Sequence, residues 1–315
     1  MTTPRGDLKV SVLVMTYNHV QYIDQAVDSA LGQDTNFAFE VLVSEDYSND
    51  GTRERAIEYQ SRFPETLKLL LSDRNLKTNA VVARGIEAAR GAYIALLDGD
   101  DYWISKNKLQ KQVDFLDAHP GCSICFHNAM VVDENGVSTR NWTPSDQKEI
   151  TTLEDIWLGN YMATCSTMFR RGLFGEIPAW YDDLFPITDW PLHILNAEHG
   201  DIGYINEVLG AYRYHKHGMY SPLSESEKLN KTMDFYQRMN RNLAYRHDRM
   251  IKIAQSKYFF EWAEEYLQRG DQQNARLNFK RCLSGRPVNR FISVRNLIKM
   301  ALRVYFPVRS VQVPE

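Results

Sequence analysis

Apolar residues come in short runs through the first hundred positions, and each run is cut off by a polar cluster. Val10 to Met15 is apolar and β-branched and reads as a strand. Thr16-Tyr17-Asn18-His19 follows as a polar loop, and from Tyr22 to Leu31 the apolar positions Ile23, Ala26, Val27 and Ala30 fall at helical spacing. Phe39 to Val43 predicts a second strand. It ends in Ser44-Glu45-Asp46-Tyr47-Ser48-Asn49-Asp50-Gly51-Thr52, which is rich in turn formers and helix N-caps. A helix over Thr52 to Phe63, a strand over Leu67 to Leu71 and a helix over Asn79 to Ala89 come next. The fourth strand, Tyr93 to Leu97, runs from Gly91 into Asp98-Gly99-Asp100-Asp101. Strands alternating with helices at this spacing predict a parallel sheet built from right-handed βαβ crossovers.

Beyond Trp103 the pattern gives a helix over Lys106 to Ala118, with Leu109, Val113 and Leu116 on one face, and a strand over Cys122 to Val132. Val137 to Gln147 reads as loop, Thr152 to Gly159 as a short helix and Ala163 to Arg170 as another strand. Asp189-Trp190-Pro191 opens a helix. Ile202 to Asn206 is a short strand, and Leu209 to His217 closes the region. From about Ser224 the composition changes. Glu225 to Leu283 reads as helical throughout, with a hinge near Gly270-Asp271, and Pro287 precedes a last helix over Phe291 to Phe306. The expected organisation is a sheet domain over 1–222 and a helical domain over 223–315. In the last helix Arg295, Lys299 and Arg303 recur every four residues, and no acid occurs from Gly285 to Ser310. Such a helix either lies on an anionic membrane surface or packs on its own domain with its basic residues in water.

The chemistry concentrates at strand ends. Three carboxylates within four residues, Asp98, Asp100 and Asp101, repel one another at the edge where open α/β sheets bind ligands. A divalent cation such as Mg²⁺ or Mn²⁺ compensates them, taking one or two carboxylates and filling its other positions with water and phosphate oxygens. The polar ends Thr16 to His19 and Glu45 to Asp50 lie beside them, so the inventory suits a nucleoside diphosphate held through a metal. No Gly-x-Gly-x-x-Gly follows the first strand and no Gly-Lys-Ser/Thr loop is present, which disfavours the usual dinucleotide and P-loop sites. Asp189 sits at a helix start, where the dipole favours an ionised carboxylate. Composition is ordinary for a globular chain, with 43% hydrophobic and 24% charged residues in 315. The net charge of −3 argues for neither nucleic acid nor membrane as a partner of the whole chain. There is no signal-peptide pattern at Met1 to Lys9 and no apolar run of the ~18 residues that span a bilayer. The four cysteines, including Cys122-x-x-Cys125 inside a strand, read as small buried thiols in a reducing cytoplasm. Asn141-Trp142-Thr143 is then an unused sequon.

Val12-Leu13-Val14-Met15-Thr16-Tyr17-Asn18, the Ser44 to Thr52 segment, Leu97-Asp98-Gly99-Asp100-Asp101 and Thr188-Asp189-Trp190, in this order, resemble the family 2 glycosyltransferases. The likeness spans roughly residues 8 to 222. Asp100-Asp101-Tyr102-Trp103, Lys108-Leu109-Gln110-Lys111-Gln112, Cys125-Phe126-His127-Asn128 and Asp189-Trp190-Pro191-Leu192-His193 also resemble a bacterial group that builds capsule, O-antigen and other surface glycans. The resemblance implies a GT-A fold, a Rossmann-like nucleotide-binding mixed sheet flanked by helices, here with an all-helical C-terminal extension. It implies an inverting, metal-dependent transfer of sugar from a UDP-sugar to a glycan or lipid-linked hydroxyl, at the cytoplasmic face of the plasma membrane. Thr16, Tyr17 and Asn18 would line the base and ribose pocket, Asp46 would accept a hydrogen bond from the base, and Asp98 would touch ribose or metal. Asp100 would be the principal ligand of Mn²⁺ or Mg²⁺, His215 a further metal or phosphate contact with His217 as its competitor, and Asp189 the catalytic base. Trp190 and Trp103 would stack on a sugar ring, the alternative for either being simple packing. The chain departs from the family pattern at Glu45, at Thr188 and at Arg84, which lies out of register for a donor-phosphate contact.

Two other readings remain. A nucleotidyltransferase also sets acids near a metal on such a sheet, but it wants a Gly-rich basic phosphate loop that Thr16 to Tyr22 does not offer. A non-catalytic nucleotide-binding or scaffold protein would have no need to keep Asp46, Asp100 and Asp189 together.

Overall fold

The computed structural model describes residues 8–216, 218, 223–284 and 291–306; His217 and Pro287 lie outside them. The chain divides into two compact units. One contains the chain up to Ile156 and Asn160 to Leu223, the other Trp157–Gly159 and the chain from Ser224.

The first unit is a mixed sheet with helices. Its first half follows the hydrophobic pattern: β1 (Leu8–Thr16), α1 (Ile23–Leu31), β2 (Ala38–Glu45), α2 (Thr52–Arg62), β3 (Leu67–Leu71), α3 (Ala80–Ala88) and β4 (Tyr93–Asp98). The strand β1 is buried almost continuously because it runs parallel between β2 and β4, with helices over the faces. The remaining elements are β5 (Tyr102–Trp103), α4 (Lys108–Ala118), β6 (Cys122–Val132), β7 (Ser138–Asn141), β8 (Ile150–Thr151), α5 (Leu153–Trp157, ending in the other unit), β9 (Thr167–Arg170), α6 (Asp189–Ala197) and β10 (Asp201–Arg213). The sheet order is β3-β2-β1-β4-β9-β6-β10-β5, with β7 on β6 and β8 on β10. The core packs Val12, Val14, Val27, Val41, Leu97, Leu109 and Met168 among others.

Three elements differ from the sequence expectation. Ala163 to Arg170 is not one strand. Thr164–Ser166 form a 3₁₀ turn, and β9 then runs antiparallel between β4 and β6, so the sheet is mixed. Part of the expected loop at 137–147 is the exposed strand β7, paired to the edge of β6; its polar residues carry no apolar alternation to betray it. The two expected strands 202–206 and 209–217 are one, β10. Register shifts against β6 around Val208 let Asn206 and Glu207 stay exposed without ending the strand.

The second unit is helical: α7 (Glu225–Asn242), α8 (Asp248–Gln268), α9 (Gln272–Ser284) and α10 (Val294–Tyr305). Ser224 caps α7 in a reciprocal box with Glu227. The helical run is broken at 243–247, where Ala244 and Tyr245 take φ of 51° and 60°, a left-handed turn that no Gly or Pro announces. The core of the unit packs Phe260, Ala263, Phe279, Cys282, Ile292, Met300 and Val304. All four cysteines are free and buried.

Candidate active site

Because β1, β2 and β4 are parallel, their carboxyl ends meet at one edge. Thr16 lies level with Glu45, and Met15 with Asp98. The strand β10, parallel to β6, ends at the same edge and brings up Arg213 and His215. The loops after β1 and β2 are stitched together. Asn18 N–H donates to Ser48 Oγ at 2.9 Å, His19 N–H to Thr52 Oγ1 at 2.8 Å and Val20 N–H to Asp50 Oδ2 at 3.0 Å. Asn18 and Tyr47 both have positive φ, local strain of the kind that binding loops carry. Tyr17 is exposed beside them.

Asp46 is buried at the end of β2. Ser72 Oγ donates to its Oδ1 at 3.0 Å, and Leu76 N–H reaches both oxygens at 3.0 and 3.2 Å. Arg84 supports this pocket rather than facing the cleft. Its guanidinium donates to Ser44 Oγ, Ser72 Oγ and the Glu45 carbonyl, each at 2.8 Å. Glu45 is fully buried; its Oε1 accepts the Ser48 N–H, and Arg53 stands 3.6 Å from Oε2.

The acidic turn Asp98-Gly99-Asp100-Asp101 is packed tightly. A Cβ on Gly99 would meet Thr16 Oγ1 at 2.6 Å and His19 Nδ1 at 2.8 Å, so only glycine fits there. Asp100 Oδ2 receives His215 Nε2 at 2.9 Å and faces His19 Nε2 at 3.6 Å. Burial alone would raise the Asp100 carboxyl, but the two histidines bring it below the usual range. Asp98 goes the other way: burial first, then the charges of Asp100 and Asp189, push it well above that range. Asp101 is raised too, by burial and then by Asp100 and Asp98. Arg213 clamps the turn. Its backbone N–H donates to Asp101 Oδ1 at 2.7 Å, its Nε to the Asp100 carbonyl at 2.9 Å and its outer nitrogen to Gln25 Oε1 at 2.8 Å.

Asp189 is the first residue of α6. Its Oδ1 accepts the Trp190 N–H at 2.7 Å, and its Oδ2 accepts from Asn160 Nδ2 and Thr164 Oγ1, each at 3.1 Å. Thr164 also lies close enough to Asp98 to offset part of that acid's rise, so it stands between Asp189 and the acidic turn. All three of these hydrogen bonds are donated to the Asp189 carboxylate. The two tryptophans are a correction. Trp103 and Trp190 are 4% and 5% exposed, Trp103 Nε1 donates to the Cys165 carbonyl and Trp190 Nε1 to that of Ile156, both at 2.8 Å. Their faces are enclosed in the core, so neither stacks on a sugar.

A family model named for glycosyl transferase family 2 matches residues 11–177, more than half of the chain. The chain belongs to this family. An uncharacterized protein of Mycobacterium tuberculosis is 35% identical over 212 residues, 67% of this chain and 60% of its own length. The putative teichuronic acid biosynthesis glycosyltransferase TuaG of Bacillus subtilis is 31% identical over 53% of this chain and 64% of its own. The chain thus spans about 60% of the length of the mycobacterial relative. Among solved structures, S. aureus TarS 1–349 in complex with UDP-GlcNAc superposes with a TM-score of 0.54 at 19% identity, covering 89% of this chain and 93% of that one. The Pyrobaculum calidifontis mannosyltransferase PcManGT, in complex with GDP-Man and Mn²⁺, gives 0.55 at 17%, covering 98% and 84%. At these identities the likeness is one of fold, the GT-A arrangement of sheet and helices.

The family match covers the acidic turn and His19, Arg84, Asn160 and Thr164, but not Arg213. His19, Arg84, Asn160, Thr164 and Arg213 join the site through the fold. For Arg213 a signal existed, since two residues before His215 on a strand puts it on the same face. Asn160 and Thr164 stand in a segment whose sequence reads as ordinary loop and strand.

Proposed function

We propose that this chain transfers a sugar, with inversion, from a nucleoside-diphosphate sugar to a hydroxyl of a glycan or lipid-linked acceptor in surface-polysaccharide synthesis, at the cytoplasmic face of the membrane. The observation that carries the reading is the meeting of polar strand ends at one carboxyl edge, Thr16 level with Glu45 and Met15 level with Asp98, together with an Asp189 carboxylate held by three donors at the start of α6. We read the strand-end acids as the donor-binding pole and Asp189 as the base, the two roles a single displacement needs.

The donor is best read as a UDP-sugar. Asp46, oriented by Ser72 and Leu76, offers its remaining lone pairs to the ring N–H of uracil, and Thr16, Tyr17 and Asn18 border the same opening. TarS is solved with UDP-GlcNAc and PcManGT with GDP-Man, so the fold alone does not choose the base, and we assign that choice to Asp46. The donor set fits a hard divalent ion. Asp100, Asp98 and His215 offer carboxylate and imidazole, Asp98 and Asp101 are held above the usual carboxylate range by burial and then by neighbouring acids, and Mg²⁺ or Mn²⁺ typically takes only one or two carboxylates. Among the described residues no group of three or more His, Cys, Asp or Glu side chains is arranged to hold a metal ion. When bound, the ion neutralises charge developing on the leaving diphosphate.

The chain does the rest. Asp189, steadied by Asn160, Thr164 and the Trp190 N–H, takes the proton of the attacking hydroxyl as general base. His19 and Arg213 hold the turn against the β1 end and β10. The test is a panel of UDP-sugars offered with lipid-linked acceptors and Mn²⁺, with the anomeric configuration of product read by NMR. Inverted product, absent for Asp189→Asn, is expected; retained configuration would overturn the single displacement.

A further inference from the structure

The final helix buries one face and leaves a second apolar face uncovered. Met300 and Val304, with Ile292, pack against Phe260, Ala263, Phe279 and Cys282. On the other side Val294, Ile298 and Leu302 follow at intervals of four and are 67%, 55% and 55% exposed, and Phe306 is 74% exposed. Tyr305 and Phe291 extend the stripe. Arg295, Lys299 and Arg303, one residue further round, stand exposed along its whole edge. The orientation is fixed from both ends. Ser293 Oγ caps the start by accepting the Asn296 N–H, and Gln272 Nε2 and Arg276 Nε donate to the carbonyls of Arg303 and Val304 at the end, each at 3.0 Å. Packing within the unit and an exposed basic, apolar face are therefore not alternatives here; the helix has both.

We infer that this outward face of α10 docks the chain on an anionic lipid bilayer, with Val294, Ile298, Leu302 and Phe306 entering the headgroup–acyl boundary and Arg295, Lys299 and Arg303 against lipid phosphates. Charge selects the occupant. The helix carries no acid, and the only acid recorded beside the stripe among the described residues is Glu264, 3.4 Å from Arg303, with both side chains about half exposed. A second copy of this chain meeting the same face across a two-fold axis would bring Arg295 and Lys299 against their own counterparts. An anionic surface pairs them instead, and interfacial helices combine this pairing with apolar insertion. The inference needs no transfer activity and stands or falls separately from the catalytic reading.

The test is sedimentation of the full chain, without donor or metal, with vesicles of phosphatidylcholine alone or mixed with phosphatidylglycerol. Binding to the mixed vesicles that weakens with salt is expected. Each basic residue contributes roughly fivefold to partitioning, so Arg295→Gln/Lys299→Gln/Arg303→Gln should lose about 100-fold. Ile298→Ser/Leu302→Ser should lose binding as well. Both variants change exposed positions, and an unaltered thermal melt is the control for folding. Equal binding to neutral and anionic vesicles, no binding to either, or a concentration-dependent dimer abolished by Ile298→Ser/Leu302→Ser would overturn it.

Discussion

Replacing Gly99 by alanine adds one methyl group at the point where the acidic turn touches the end of β1. The new Cβ would lie 2.6 Å from Thr16 Oγ1, 2.8 Å from Thr16 Cβ and 2.8 Å from His19 Nδ1. Reaching an ordinary 3.4 Å contact requires 3.4 − 2.6 = 0.8 Å of movement against one atom and 3.4 − 2.8 = 0.6 Å against the others. Thr16 cannot yield, because β1 is hydrogen-bonded on both sides, and Gly99 N–H is itself tied to the Met15 carbonyl at 2.7 Å. The turn must give, carrying Asp98 and Asp100 with it. Overpacking of this kind costs about 1–3 kcal/mol, which for a unit of this size lowers Tm by roughly 2–10 °C. Misplacement approaching 1 Å at a binding constellation costs on the order of 10–100-fold. The assay is a thermal melt alongside calorimetric titration of UDP with Mn²⁺, with Gly121→Ala as control because nothing lies within 4 Å of its added Cβ. A Gly99→Ala protein with the melting point and UDP affinity of the unaltered chain would refute the claim that this contact sets the turn.

Asp189→Asn should lower acceptor-dependent turnover by about 10²–10⁴-fold while UDP affinity stays within experimental error; a matching loss of UDP binding would show that Asp189 holds the donor instead. Lys108 is fully buried over the Trp103 ring, 3.9 Å from its centroid, its Nζ without a hydrogen-bond partner, and burial pushes its pKa down to about 7. A folded-state pKa below the unfolded one means that the buried ammonium opposes folding fully below about pH 7 and that this cost fades as pH rises toward the free-lysine value. Lys108→Met should therefore raise Tm at pH 6.5, and by less at pH 9.5; melts at both values decide, and a gain that grows with pH contradicts the assignment. Asp50 is held below its ordinary pKa: burial raises it, but the bonds from Thr52 and Val20 outweigh that. Its stabilising share is present above the ordinary aspartate range and disappears as pH falls through the folded value. Asp50→Ala should melt lower than the unaltered chain at pH 7 and converge with it in acid, and parallel melting curves across pH would count against the loop stitch.

The strands β1, β2 and β4 were legible because each is an apolar run ending in polar residues and buried on both faces, while the edge strand β3 was legible from its leucines alone. The acidic turn stood out in the sequence because three carboxylates crowd the end of one buried strand; Asp189 stood out less, because an aspartate at a helix start also serves as a cap. What the sequence concealed depends on contacts between distant segments. The Thr164 hydroxyl joins Asp189 only because a 3₁₀ turn interrupts the expected strand and reverses β9. Arg84 lies in a helix with no marked motif, and its use of all three guanidinium nitrogens on β2 and Ser72 follows from where α3 packs. The tryptophans misled because an aromatic beside an acid looks the same in sequence whether it faces a cleft or a core. The break at Ala244 and Tyr245 escaped because the left-handed turn there is made by residues that ordinarily continue a helix.

The central claim is that the carboxyl edge around Asp46 and Asp100 is a metal-dependent uridine-nucleotide site. Calorimetric titration of UDP, GDP, TDP and CDP, each with and without Mn²⁺, on the unaltered chain and on Asp100→Ala, tests it most directly. The account predicts that UDP alone binds, that Mn²⁺ is required and that Asp100→Ala abolishes the heat. Equal heats for all four nucleotides, or UDP binding indifferent to Mn²⁺ and to Asp100, would contradict it.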